Sequence, residues 1–283
     1  MRQLKPAEFP ALLREIPDCP QKLYLRGVLP PPETIFLCVV GSRRTSAYGV
    51  RTTAQLIAGL AQYPIAIVSG MALGIDAEAH KAALDVGLPT VAVVPSSADE
   101  ASLYPSSNRP LAHRILARGG AILAENAPPW TAHLHNFAER NRVMAGMSQA
   151  TLIVEAGEKS GTLITARLAL DYNRDVMGVP HELGRPGGVG VNRLLREGAT
   201  LVRDADDILQ VLGFTPSDKP TQATLPTDLT EVEVKILHAL AGPQMRDELI
   251  EYLSLSAQAA NIALSSLLIR GLIIERLGKI ERA

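Results

Sequence analysis

The chain has 283 residues, with 28 basic and 29 acidic side chains and a net charge of −1. This balance excludes a protein whose whole surface attracts polyanions, so any anion must be bound locally. The two cysteines, Cys19 and Cys38, form neither a disulfide framework nor a metal-ligand spacing. The first residues lack a signal-peptide pattern, and no apolar run of about 18 residues occurs, which predicts a soluble, cytoplasmic protein without membrane segments.

The predicted elements describe an α/β protein. Residues 1–33 are punctuated by prolines and predict a short appendage. From 34 to 213, apolar runs alternate with helical patterns, which is typical of a parallel sheet covered on both faces. We therefore predict a Rossmann-like, doubly wound, mostly parallel sheet, with ligands bound beyond the carboxyl ends of its strands. The predicted strands are 35–40, 65–69, 90–94, 121–125, 150–155 and 175–179, with 199–202 left open as an edge strand.

The last part of the chain predicts a second, smaller domain. Residues 214–228 are polar and proline-containing, which predicts a linker. Residues 229–283 then contain three helical stretches, the third ending at Gly271, and two short strands around Leu277 and Gly278. This order is typical of a winged helix.

The first unusual loop lies in VVGSRRTSAYG, directly after the strand at 35–40. It lacks the spaced glycines of a dinucleotide fingerprint. Gly41 permits a tight turn, Ser42 offers a hydroxyl, and Arg43 and Arg44 offer positive charge. Backbone N–H groups at the start of the following helix, near Ser46, also favour an anion. The loop predicts a phosphate site; the alternative is a capped loop with two solvated arginines.

The second loop, SGMALGID, follows the strand at 65–69. Ser69 ends the strand, and Gly70 leaves room for close backbone approach. Asp76 and His80 lie one helical turn apart, so an acid–base or metal pair is conceivable. The simpler interpretation is that Asp76 complements the helix dipole and His80 lies on the surface.

The third region, HLHNFAERNRVMAGMS, combines arginines with an aromatic ring at Phe137. Arginines suit phosphates and an aromatic face suits a nucleobase, although a core contact for Phe137 is the alternative. His133 and His135 have no partner with metal-ligand spacing, so no metal is predicted. The candidate contacts are Phe137, Arg140, Asn141 and Arg142.

The fourth region, VEAGEKSGTLITARLAL, begins another helix with small hydroxyl residues and a lysine, which again suits an anion. It is not a P-loop. Such helix starts in a row along one sheet edge suit the successive phosphates of a strand better than a single nucleotide. The candidate contacts are Lys159, Ser160, Gly161, Thr162 and Thr165.

These motifs, together with YPSSN, LAEN and GVNRLLREGATLV, resemble the DNA-processing protein A family, DprA or Smf, over residues 35–202. The resemblance implies a dimeric protein that is not an enzyme and needs no cofactor. It implies binding and protection of incoming single-stranded DNA, and help in loading RecA recombinase during natural transformation. The implied DNA contacts are Gly41, Ser42, Arg43, Arg44, Ser69, Gly70, Phe137, Arg140, Asn141, Arg142, Lys159, Ser160, Gly161, Thr162 and Thr165.

Some positions depart from the family pattern. Leu134 stands where many members have a lysine, and the loops at 93–105 and 179–192 are altered. The segment 228–283 has six basic and eight acidic residues. Its net charge of −2 disfavours the recognition of double-stranded DNA. We interpret that domain as a protein-interaction or weak DNA-binding module.

An enzyme is the main alternative. The segment PGGVGVNRL resembles the P-G-G-x-G-T-x-x-E motif of nucleoside-monophosphate hydrolases. However, Val191 replaces the threonine and Leu194 replaces the catalytic acid. Without that carboxylate, no group stabilises the developing charge on the ribose.

Overall fold

The computed structural model describes residues 1–214, 229–240, 244–253, 256–270, 272–276 and 278–282. The chain divides into two compact units, Met1–Lys219 and Pro220–Ala283. Residues 215–228 of the linker predicted at 214–228 lie outside the described residues, as do Gly271 and Leu277. Phe214, the first residue of that predicted linker, instead packs edge-on against Tyr63, with ring centroids 4.9 Å apart.

Within residues 1–214, nine strands form one sheet in the order β1-β2-β6-β5-β4-β3-β7-β8-β9. Strands β3 to β9 pair in parallel, which confirms the mostly parallel α/β sheet. The strands are β1 (Arg2–Leu4), β2 (Leu23–Gly27), β3 (Ile35–Val40), β4 (Ile65–Ser69), β5 (Thr90–Val93), β6 (Ala121–Ala124), β7 (Ala150–Ile153), β8 (Asp175–Gly178) and β9 (Thr200–Leu201).

Helices cover both faces of this sheet, so its central strands are apolar throughout. In β3, Leu37 and Val39 join one core cluster while Cys38 and Val40 join the cluster on the opposite face, because side chains alternate along a strand. The helices of the first unit are α1 (Ala47–Ala58), α2 (Ile75–Asp85), α3 (Arg109–Ala117), α4 (Leu134–Met147), α5 (Thr162–Asp171), α6 (Val189–Arg196) and α7 (Ala205–Val211).

Residues 1–33 contribute to the sheet itself. Sequence analysis predicted no strand there, yet β1 pairs with β2, and β2 pairs antiparallel with β6. Leu23 and Leu25 alternate inward, and Leu13 fills the core beside them. This segment therefore closes one edge of the parallel sheet.

The described part of the second unit contains three helices and a three-stranded antiparallel sheet in the order β10-β12-β11. Thr230 and Glu233 form a capping box at the start of the first of these helices: the Glu233 N–H donates to Thr230 Oγ1 (3.3 Å) and the Thr230 N–H donates to Glu233 Oε2 (2.7 Å). The winged-helix assignment of this unit stays a prediction. Its elements are α8 (Glu231–Ala239), β10 (Gln244–Met245), α9 (Arg246–Tyr252), α10 (Ala257–Ile269), β11 (Ile273–Arg276) and β12 (Lys279–Arg282).

No helix in the described ranges has both the length and the apolar character that a bilayer crossing demands.

Candidate functional site

A cleft of about 520 Å³ lies at the carboxyl ends of β3 and β7. The loop after β3, the amino-terminal half of α4 and the start of α5 form its walls. It brings together most of the predicted site residues, although they come from three distant segments of the chain. Those lining it are Gly41, Ser42, Arg43, Arg44, Phe137, Arg140, Asn141, Ser160, Gly161, Thr162 and Thr165.

A buried ion pair forms the floor of this cleft. Arg140 Nη1 lies 3.8 Å from Asp76 Oδ2 and donates to Met144 Sδ at 2.8 Å, while Arg140 Nε has no hydrogen-bond partner among the described residues. Burial lowers the pKa of Arg140 and raises the pKa of Asp76. The charge of each residue opposes the pKa shift of the other. The Asp76 carboxylate also accepts backbone hydrogen bonds from Gly41 and Ala72. Asp76 is thus the counter-ion of Arg140, a role that its sequence spacing did not indicate.

Gly70 supplies space for that pair. A Cβ atom built on Gly70 would lie 1.5 Å from Arg140 Nη1, so a side chain there is incompatible with the observed position of the guanidinium. Gly74, at φ +78°, brings the loop after β4 against the loop after β3, where a Cβ would lie 2.2 Å from the Ser42 carbonyl oxygen. Ser69 is fully buried and its hydroxyl donates to the Val39 carbonyl at 2.6 Å. Ser69 and Gly70 therefore shape the site without lining the cleft.

A cation and an aromatic ring meet at the mouth of the cleft. Arg43 Cζ lies 4.8 Å from the centroid of the Phe137 ring, a cation–π geometry. The exposed Arg43 forms no ion pair with the described residues. Tyr104, which sequence analysis did not single out, packs edge-on against Phe137 with centroids 5.7 Å apart. The half-buried ring is therefore held between a cation and a tyrosine.

The start of α1 corrects one expectation. The anion bound at this helix start is a carboxylate of the protein itself. Glu155, only 2% exposed, accepts hydrogen bonds from the Ser46 N–H (3.0 Å), the Ser46 hydroxyl (2.5 Å) and the Thr45 hydroxyl (2.7 Å). The Arg44 N–H donates to Ser42 Oγ at 3.1 Å. These donors already have acceptors within the protein. In this loop, the side chains of Arg43 and Arg44 therefore remain as the groups able to bind an external phosphate.

The start of α5 remains open to the cleft. Ser160 Oγ accepts from the Thr162 N–H at 3.3 Å and donates to Thr162 Oγ1 at 3.0 Å. Thr165, one turn later, is buried but lines the same wall. Lys159 is exposed just before this turn and does not line the cleft.

Arg142 does not join the cleft, contrary to its grouping with Arg140. Its Nη1 donates to the Asp18 carbonyl at 2.6 Å, and its Nη2 pairs with the Glu125 carboxylate. Two residues along an α-helix correspond to a rotation of roughly 200°, so Arg140 and Arg142 face opposite ways. Arg142 anchors the amino-terminal segment, and the Tyr172 hydroxyl reinforces this anchor by donating to the Asp18 carboxylate at 2.7 Å.

The histidines behave differently from one another. His80 is fully buried, which corrects its expected surface position, and its Nδ1 lies 2.7 Å from Thr90 Oγ1. Burial lowers the pKa of His80 to about 3, so it stays neutral in the folded protein. His133 and His135 are exposed, and no cluster of three metal-ligating side chains occurs in the described ranges.

Known proteins share this architecture. The family model described as DNA recombination-mediator protein A matches residues 1–213. Protein Smf of Escherichia coli (strain K12) is 38% identical over 209 residues, covering 73% of this chain and 54% of that protein. The DNA processing protein DprA of Streptococcus pneumoniae is 35% identical over 206 residues, covering 73% of this chain and 72% of that protein. The match thus spans about half the length of the Smf protein.

Two solved structures extend the comparison. The X-ray structure of DprA from Streptococcus pneumoniae has a TM-score of 0.69 and 33% identity, over 74% of this chain and 73% of that one. A DprA structure from Helicobacter pylori, described by its single-stranded DNA binding mode, has a TM-score of 0.65 and 29% identity, over 75% of this chain and 94% of that one. The chain therefore belongs to the DNA recombination-mediator protein A family, known as DprA or Smf.

Proposed function

We propose that this protein binds single-stranded DNA, without sequence preference, along the cleft between the loop after β3, α4 and α5. The observation that carries the proposal is the exposed guanidinium of Arg43 over the ring of Phe137, because it combines the positive charge that a phosphate needs with an aromatic ring beside it. A Helicobacter pylori relative with the same fold is described as binding single-stranded DNA.

Each wall of the cleft has its own part in this proposal. Arg43 and Arg44 contact phosphates, and the exposed part of the half-buried Phe137 ring contacts a base. At the start of α5, the hydroxyl of Thr162, whose oxygen accepts a hydrogen bond from Ser160, donates to a phosphate oxygen. Leu134 is 92% exposed and Ile164 is 47% exposed, and both line the cleft, so they offer apolar contact to sugars and bases where a lysine would offer charge. Arg142 is left out because its donors are occupied.

The wider role follows from the family. We propose that the protein acts in the cytoplasm as a homodimer, protects incoming single strands and helps to load the RecA recombinase during natural transformation. The second unit then serves as a winged-helix module for protein interaction or weak DNA binding. The support for these steps is membership of a family whose members process DNA in recombination.

We also propose that the protein is not an enzyme. The positions that would carry nucleoside-monophosphate hydrolysis are Val191 and Leu194, and both side chains are buried in the apolar core under α6. A carboxylate is therefore missing at the position where the hydrolase motif requires one. Incubation with nucleoside monophosphates should release no free base; release of base at a catalytic rate would refute this part.

The binding proposal is tested with Arg43→Ala and a labelled oligodeoxythymidylate, followed by fluorescence anisotropy at two salt concentrations. We expect affinity about 10-fold lower and a salt slope reduced by about 1, because one phosphate contact is lost. Arg167→Ala is the matched control, since Arg167 is 78% exposed on α5 and pairs with Asp171 away from the cleft. Equal affinities for the two variants, or a loss confined to one DNA sequence, would refute the proposal.

A further inference from the structure

Beside the cleft lies a patch formed by Trp130, His133 and His135, the Trp130 patch. Trp130 is the chain's single tryptophan and is 38% exposed. The His133 ring meets it edge-on, with centroids 6.1 Å apart and planes at 82°. The His135 ring is parallel to His133, with centroids 5.9 Å apart and planes at 1°. Both histidines are exposed, so three flat rings are presented together at the surface.

The Trp130 ring is fixed in place although it is exposed. The Trp130 N–H donates to Ser97 Oγ at 2.9 Å, and the Ser97 N–H donates to the Trp130 carbonyl at 3.0 Å. The indole N–H donates to Asn136 Oδ1 at 3.4 Å. Ser97 is fully buried and Asn136 is 5% exposed, so both anchors are rigid. A large ring that is held rigidly at the surface binds a flat partner with little loss of conformational entropy.

The patch and the cleft share the start of α4, because Leu134, which lines the cleft, lies between His133 and His135 in the sequence. Phe137 lines both the cleft and a small hollow that also contains Tyr104 and Pro95. Pro95 lies two residues before Ser97, the anchor of Trp130. The hollow beside Phe137 and Tyr104 is therefore connected through Pro95 to the segment that anchors Trp130.

The strand order places the two sites along one edge of the sheet. Trp130 follows β6, Tyr104 follows β5, and Arg43 follows β3. These strands are parallel and ordered β6-β5-β4-β3, so their carboxyl ends share one edge. The carboxyl ends of β6 and β3 are three strand spacings, about 14 Å, apart, a distance that single-stranded DNA crosses in roughly four nucleotides or fewer.

We propose that the Trp130 patch is a second base-stacking platform for the same DNA strand whose phosphates occupy the cleft. The proposal rests on the proposed function. Stacking on an aromatic face accepts any base, so the patch extends the site without adding sequence preference. The patch itself contains no lysine or arginine, so its contribution to affinity should depend little on salt.

The single tryptophan provides a direct test in the full-length protein. Its fluorescence is recorded during titration with oligodeoxythymidylates of about 2 and about 12 nucleotides, because a dinucleotide is too short to cross about 14 Å. We expect the longer oligonucleotide to quench the fluorescence strongly, because a base then stacks on Trp130. The shorter one should bind the cleft and quench it much less. Arg43-dependent binding of the longer oligonucleotide without quenching would overturn the second platform while leaving the cleft intact.

A pair of variants separates stacking from packing. Trp130→Phe keeps an aromatic face, whereas Trp130→Leu keeps apolar volume and loses that face. By anisotropy, we expect Trp130→Leu to bind the longer oligonucleotide about 5- to 20-fold more weakly and the shorter one unchanged. Trp130→Phe should remain within about 3-fold of the wild type for both. Equal losses in the two variants, or equal losses for both lengths, would show a structural role for Trp130 and overturn the proposal. Failure of the wild type to bind either oligonucleotide would instead refute the proposed function.

Discussion

The guanidinium of Arg140 lies 3.8 Å from the carboxylate of Asp76, and the two side chains are only 6% and 7% exposed. A buried charge that loses its partner costs far more than the intact pair contributes. The floor of the cleft is therefore a positive group whose charge is compensated from inside the protein. A phosphate in the cleft would act as a second counter-ion for the same guanidinium.

Asp76→Asn tests this relationship. The variant retains an oxygen acceptor for the Gly41 and Ala72 N–H groups but leaves Arg140 uncompensated. We expect the free energy of unfolding to fall by about 3 kcal/mol. We also expect single-stranded DNA to raise the melting temperature of the variant more than that of the wild type, because the phosphate replaces the lost charge. Thermal denaturation with and without oligodeoxythymidylate measures both effects.

Asp171→Asn is the matched control for this experiment, since Asp171 is 54% exposed and pairs with Arg167 on the surface of α5. It should melt like the wild type with and without DNA. If DNA raised the melting temperature of Asp76→Asn and of the wild type equally, Arg140 would not interact with the bound DNA.

Arg142→Ala should affect stability and not DNA binding. Arg142 holds Glu125 and the Asp18 carbonyl, and burial already raises the pKa of Glu125. Loss of the guanidinium leaves both acceptors without this donor. We therefore expect the free energy of unfolding to fall by about 1–3 kcal/mol. Urea denaturation measures this loss, and anisotropy should show an affinity within about 2-fold of the wild type. If the variant kept its stability but lost affinity for DNA, Arg142 would instead be a DNA contact.

Gly70→Ala should displace Arg140. The added methyl group would lie 1.5 Å from Arg140 Nη1, so the guanidinium must leave its position beside Asp76. We expect DNA affinity to fall about 10-fold or more, together with a lower melting temperature. The comparison is Gly187→Ala, because Gly187 does not line the cleft and a Cβ there would lie 3.7 Å from its nearest neighbour, Glu155 Oε1. If both variants bind DNA equally well, the placement of Arg140 is unimportant.

The buried His80 predicts a pH dependence of stability. Its pKa is about 3 in the folded protein, against 6.5 as the ordinary value. Below pH 6.5 the unfolded chain therefore binds more protons than the folded one, and stability falls as the pH decreases toward 3. The limiting slope is about 1.4 kcal/mol per pH unit. The raised pKa of Asp76 acts in the opposite direction in every variant that retains Asp76.

Comparison of wild type, His80→Gln and His113→Gln isolates this contribution. His113 has a 58% exposed side chain beside Glu100, so its variant should follow the wild type. His80→Gln should give a flatter dependence of melting temperature on pH between about 6.5 and 4. Parallel curves for all three proteins would show that His80 is not the titrating group.

The central fold could be predicted because its strands are short apolar runs separated by helices, and this pattern has few topological solutions. Strands β1 and β2 were missed because they are short: β1 has 3 residues, of which only Leu4 is buried, and β2 has 5, of which only Leu23 and Leu25 are buried. The strand β2 depends on pairing with β6, about a hundred residues further along the chain, and β1 depends in turn on β2. Local pattern carries no information about such a partner.

The candidate cleft was predictable for the same reason, since the carboxyl ends of parallel strands meet at one edge. The structure differs from the sequence-based expectations where contacts between distant parts of the chain determine the position of a side chain. Arg142 lies two residues from Arg140 but faces another side of α4. Glu155 reaches the start of α1 from 109 residues away. His80 gave no local sign that its side of α2 is buried.

The pairing of β2 with β6 also determines where this protein can be shortened. A version trimmed to begin at residue 34 would lose the strands that cover β6, and a row of backbone donors and acceptors would face water. Open strand edges of this kind recruit neighbouring molecules. Arg142 would at the same time lose its tether at Asp18. Such a trimmed version should precipitate or form soluble aggregates during purification, whereas the intact amino-terminal segment prevents this association.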